Sequence, residues 1–173
     1  ELIAAWKNVE EVLTYLIDIL RGERVDSSEL LNSNNVLLAP FYYLLINGKV
    51  LDSDITRRKC IYWILVASMW SRYSGSAETA LEEDLNLVRN SSSDVWDALV
   101  RKVMDQRGRL AIENTDLQGA GVNSRFYRTF YIMLKNRGAR DWFNGLKIDE
   151  GTSVNLATHR HHIFPKAYLE KHG

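Results

Sequence analysis

Cysteine is almost missing from this chain, with one among 173 residues. A single thiol cannot close an internal disulfide, which excludes a stapled secreted scaffold and points to a reducing compartment. It also leaves no cysteine cluster for a structural zinc. Proline occurs only twice, so long stretches are free to run as helix. No apolar run reaches the ~20 residues that a membrane span needs. No basic segment leading into an apolar one reads as a signal peptide, and no Gly-rich phosphate loop of the Walker type is present. These absences predict a cytoplasmic chain without a membrane partner.

What is present is ordinary in amount, with 46% apolar and 25% charged residues, the composition of a globular protein. Net charge is zero, from 22 basic and 22 acidic side chains, and would by itself argue against a nucleic-acid partner. The distribution removes that argument. Residues 1–100 hold 9 basic and 15 acidic side chains, and residues 101–173 hold 13 and 7. All four histidines, His159, His161, His162 and His172, fall at the basic end. Glu1 opens directly onto helical spacing with no initiator Met, so the chain reads as a piece of a longer protein.

The 3.6-residue period predicts a mainly α fold. Helices are expected near 2–21, closing at Gly22; near 36–47, with Pro40 in the first turns and Asn47-Gly48 at the end; and near 54–73, capped by Asp52-Ser53-Asp54 and broken by Ser74-Gly75-Ser76. Three more follow, near 78–90 with Thr79 or Ser76 as cap, near 94–107 capped by Ser93, and near 124–137 ending at Gly138. The stretch Cys60 to Trp70 is apolar on every side, which marks its helix as the buried centre of a bundle, and Cys60 reads as an inert core thiol. Residues 139–154 read as irregular, with one helical turn around Trp142. Asn155 to Phe164 is the one expected strand, ended by Pro165.

Three clusters invite a chemical reading. Glu78, Glu82, Glu83 and Asp84 read as a solvated helix face. Residues 125–147 carry six basic side chains among aromatics. Helical projection puts Phe126, Tyr127, Phe130, Tyr131, Met133 and Leu134 on a core side. It leaves Arg125, Arg128 and Lys135 on a basic edge able to meet phosphates in a salt-sensitive way. The tail His159-Arg160-His161-His162-Ile163-Phe164-Pro165-Lys166 combines imidazoles, which ligate metals or act as bases near neutrality, with a sharp break. In a regular strand His159 and His161 share a face; His161 and His162 converge only where the strand bends. Both pairs stay open on spacing alone.

The string His161-His162-Ile163-Phe164-Pro165-Lys166-Ala167-Tyr168-Leu169 resembles the first half of an HNH (ββα-metal) nuclease motif, in the form seen in GmrSD-type restriction proteins. Arg72 to Leu85 is similar to the helical region of those proteins. The resemblance implies a helical domain over 1–150, a bundle around one buried helix, and over 151–173 the truncated beginning of the HNH motif, with a short strand opening a ββα unit. It implies His161 as a ligand of a divalent metal such as Mg or Mn, and His162 as general base toward the attacking water. Arg160 and Lys166 are further candidates for phosphate contact. The implied activity is metal-dependent hydrolysis of phosphodiester bonds in DNA, modified phage DNA in antiviral restriction, with a nucleotidase domain preceding in cis. The family's second strand, Asn and later ligand do not follow His162 here, so this chain alone is expected to be inactive and to hold no metal tightly. The rival expectation is a non-catalytic helical module that couples domains or binds proteins through some of Trp6, Tyr42, Tyr43 and Trp96.

Overall fold

The computed structural model describes residues 2–90, 94–121, 123–142, 145–148 and 170–171. The chain divides into two compact units, residues 1–133 and residues 134–173, each taken by itself below. The fold is mainly helical and bundle-like. Among the described residues seven helices run in order: α1 (Leu2–Gly22), α2 (Leu38–Ile46), α3 (Asp54–Met69), α4 (Ala77–Asn90), α5 (Val95–Arg107), the short α6 (Asn114–Leu117) and α7 (Arg125–Asn136). Two 3₁₀ turns, Ser28–Leu30 and Asn34–Leu37, join α1 to α2. Helix α3 packs against α5, and α2 against α1 and α4. Among the described residues no helix is long and apolar enough to cross a membrane.

Helix α3 is the buried centre that its composition predicts. Cys60, Trp63, Ile64 and Ala67 have no exposed surface; of the apolar run Tyr62 is exposed and Leu65 half-buried. Its start is fixed by Ser53, whose hydroxyl accepts from Thr56 N at 3.1 Å, satisfying one of the orphan amides of the first turn. Aromatic rings lock α3 to its neighbours: Trp63 meets Trp96 of α5 at 6.5 Å between centroids, and Trp96 meets Tyr43 of α2 at 4.9 Å. Burial of the Cys60 thiol pushes its pKa up to about 12, so it stays protonated and inert.

Helix ends depart from the glycine-based expectation in instructive ways. Gly22 stays within α1, and the left-handed residue is Arg24, with φ 62°. Arg24 N donates to Arg21 O and Val25 N to Leu20 O, a complete Schellman closure without glycine. Helix α3 stops at Met69, short of residue 73, and Ser71 turns left-handed (φ 51°) while Arg72 N donates to Ala67 O at 2.8 Å. Turning there carries Arg72 and Tyr73 inward. The cap of α5 is Asp94, which accepts from Trp96 N and Asp97 N and sets its carboxylate at the positive end of the helix dipole.

In the second unit, Gly138 (φ 66°) closes α7 and Ala139 N donates to Leu134 O. Gly145 N donates to Asp141 O at 3.0 Å, and Trp142 is exposed. Arg140 and Lys147 form an isolated antiparallel bridge. The expected strand at residues 155–164, and the motif that it carries, lie outside the described residues.

A candidate anion site at the end of the central helix

The most elaborate chemistry in the first unit gathers where α3 ends. Asp84 of α4 is completely buried and accepts from Arg72 through both oxygens, at 3.2 Å from Nε and 2.9 Å from Nη2. Tyr73 adds a hydroxyl donation at 2.8 Å. Burial opposes the Arg72 charge, yet hydrogen bonds to Asp84 and Glu83 outweigh it and hold its pKa above the ordinary value. Burial first, and then the Asp84 charge, raise that of Tyr73. The solvated-face expectation therefore fails for Asp84. Ala80, Asp84 and Val88 are all buried on one stripe of α4, so Asp84 points at the core and the fold brings it a guanidinium. Glu78 and Glu82 stay exposed, while Glu83 reaches Arg72 at 2.8 Å.

Helix α7 is rotated relative to the projected arrangement. Phe126, Thr129, Ile132 and Lys135 are its buried positions, and Phe130 and Met133 are exposed. Arg125 and Arg128 lie half-buried on the inward side instead of on an outer edge. The reason is what faces them. The Trp70 ring receives Arg125 at 6.0 Å and Arg109 at 5.3 Å from its centroid, an attraction of a cation for the ring face. Arg128 Nη1 donates to Asn32 Oδ1 at 3.1 Å and to Leu31 O at 3.4 Å. Lys135, buried at 5% exposure, is no part of an exposed basic edge. The projected aromatic core side is corrected in the same way: Phe126 is buried against Trp70, 5.5 Å edge-on, but Phe130 and Met133 line an open apolar groove of about 480 Å³ with Ile112 and Leu117.

A third guanidinium, one that sequence reasoning passed over, completes the cluster. Arg107, in the last turn of α5, donates through Nη2 to Ser71 O at 2.7 Å and Ser74 Oγ at 2.9 Å. Its Nε is buried with no acceptor among the described residues. Burial and the nearby Arg125 and Arg72 charges push its pKa down. Among the described residues none of Arg107, Arg125 and Arg128 pairs with a carboxylate; Asp116, beside Arg125, is held by Arg109 at 2.8 and 2.9 Å. Beside the turn lies a polar cavity of about 280 Å³, lined by Asn32, Ser33, Ser68, Ser71, Arg72 and Ser74 among others. Asn32 ties it to α3, accepting nothing from Ser68 but donating to it twice, N to Oγ at 2.9 Å and Nδ2 to O at 2.7 Å.

The remaining expected site residues, Arg160, His161, His162 and Lys166, lie outside the described residues. Of the four aromatics considered as interface anchors, Trp96 is core, Tyr43 and Tyr42 are half-buried, and Trp6 is 70% exposed. No protein family, curated protein or solved structure matches this chain.

Proposed function

We propose that this chain is the helical, DNA-engaging part of a metal-dependent endonuclease of the GmrSD/HNH kind, together with the first half of its catalytic motif. The observation that carries the reading is the string His161-His162-Ile163-Phe164-Pro165. In that scheme His162 takes the proton from the attacking water, and His161 holds a divalent cation whose chemistry is to offset charge building on the phosphate. The arginines at the end of α3 support it from the helical side, since cations without carboxylate partners suit a phosphodiester backbone. The parent acts on DNA, modified phage DNA by the family likeness, in antiviral restriction in the cytoplasm, with a nucleotidase domain in cis.

The test is a supercoiled-plasmid nicking assay with Mg²⁺ or Mn²⁺. The chain of 173 residues carries only the His-His half of the ligand set, so it is expected to leave the plasmid intact. The same chain joined to a strand and helix supplying an Asn and a further His or Asn is expected to nick it, and His162→Ala to abolish that. Joined chains that stay inactive with either metal would count against the reading.

A second reading, a helical interaction module, is favoured by one observation. Leu2, Ile3, Trp6, Leu13 and Ile17 are exposed along one flank of α1, the first three at 85%, 86% and 70%. Singly exposed apolar residues need no explanation, but a contiguous stripe marks a contact surface.

A further inference from the structure

We infer that the polar cavity beside the α3 terminal turn, walled by Asn32, Ser33, Ser68 and Ser74 and bordered by Arg107 and Arg128, binds a phosphate group. The inference deepens the DNA-directed reading and rests on it only for the source of the phosphate. Three features point the same way. First, part of the donor set is unspent, although Ser74 Oγ donates to Ser71 O and Asn32 Nδ2 to Ser68 O. Ser33 and Ser68 spend their hydroxyl oxygens as acceptors of Asn35 N and Asn32 N, which leaves each hydroxyl proton free for a further partner. Arg107 and Arg128 each use a single terminal nitrogen in the bonds they make, though a guanidinium offers five donors.

Second, the charge is unbalanced. Arg72 is neutralised by Asp84 and Glu83, and Arg109 by Asp116 and Glu113, whereas among the described residues Arg107, Arg125 and Arg128 form no ion pair, and Arg107 feels the charge of Arg125. The negative end of the α3 dipole accounts for one such cation, since Arg107 donates to Ser71 O; it does not account for the other two or for the buried, unpartnered Nε of Arg107. Third, the shape discriminates. Arg107 bonds to the lining residues Ser71 and Ser74, and Arg128 to the lining residue Asn32. Donors from separate elements thus reach the cavity wall, which suits a tetrahedral oxyanion better than a planar carboxylate that one arginine satisfies side-on. A cavity of about 280 Å³ takes one such group.

The test uses the whole chain and two probes. Inorganic phosphate is titrated by isothermal calorimetry against a chloride control of equal ionic strength, and a short duplex DNA is followed by fluorescence anisotropy. Phosphate is expected to bind wild type above the chloride control, and Arg107→Gln and Arg128→Gln each to weaken it about tenfold, the loss of one charge-assisted bond. Circular dichroism checks that each variant keeps its helix content. If duplex DNA also binds, is displaced by phosphate and is weakened by both variants, the source is a phosphodiester. Phosphate binding without DNA binding upholds the site and removes the DNA-directed reading. No phosphate binding to folded wild type overturns the inference. Phosphate binding untouched by both substitutions overturns it too, and DNA binding untouched by both leaves the DNA-directed reading standing without this site.

Discussion

Asp84 and Arg72 form the most exposed-to-risk pair in the molecule because neither can be relieved by water, at 0% and 5% side-chain exposure. Removing Arg72 strands the fully buried Asp84 charge with only the Tyr73 hydroxyl left to it, a loss of about 3–5 kcal/mol. Arg72→Met is therefore expected to lower unfolding free energy by that amount in urea titration, and Asp84→Ala by less, since Glu83 still pairs with Arg72. The joint change Arg72→Met with Asp84→Leu is expected to recover most of it, since no buried charge is then left unpaired. Cys60 makes the opposite kind of residue-level statement. With no exposed surface and a thiol pKa raised to about 12, it should resist a thiol-labelling reagent in native buffer and react at once in denaturant. Fast native labelling would show that α3 is not enclosed as described. The inertness of Cys60 was legible from its apolar surroundings. The burial of Asp84 was equally available, four residues from Ala80 and from Val88 along one stripe, but a run of four acids drew attention to charge instead of spacing.

At the level of elements, the existence and order of the six longer helices followed from periodicity, while the four-residue α6 is too short to show a period, and ends and rotation depended on partners that lie far off in sequence. No local pattern says that Ser71 will take the left-handed turn, because the gain comes from delivering Arg72 and Tyr73 to Asp84 on the next helix. The rotation of α7 has the same origin: its arginines turn inward for the Trp70 ring and the acceptors at residues 31–32, which a helical wheel cannot display. This rotation is testable through stability. Ile132→Ala is expected to cost about 2–5 kcal/mol, the usual loss for a fully buried aliphatic side chain. Phe130→Ser, at an exposed position, is expected to stay within about 0.5 kcal/mol of wild type. Asp94→Ala should cost about 1 kcal/mol through loss of the α5 cap, with its two amides left to water, and thermal unfolding reports all three.

Across the whole molecule, acid should loosen the bundle before base does. Hydrogen bonds from Arg72, Lys59 and Arg109 hold Glu83, Asp94 and Asp116 respectively below their ordinary values of 4.5, 3.8 and 3.8. A carboxylate whose folded-state pKa is depressed stabilises the fold above its unfolded value, and that contribution disappears as the pH falls through the folded one. The melting temperature is thus expected to hold steady above about pH 5 and to drop progressively below pH 4. The same scale resolves the zero net charge: an acidic first hundred residues and a basic remainder cancel on paper, while the cations at the end of α3 stay locally uncompensated. That concentration was only partly legible, since Arg125 and Arg128 stood out in a basic, aromatic stretch but Arg107, from another helix, joins them only in the fold. Its consequence for DNA is the most direct check of the account. Duplex-DNA affinity should be measured between roughly 50 and 200 mM salt, for wild type and for Arg107→Gln and Arg128→Gln. The expected result is a linear fall of log affinity with log salt, its slope shallower by about one for each arginine removed; no binding at low salt, or a slope that neither substitution alters, would contradict it.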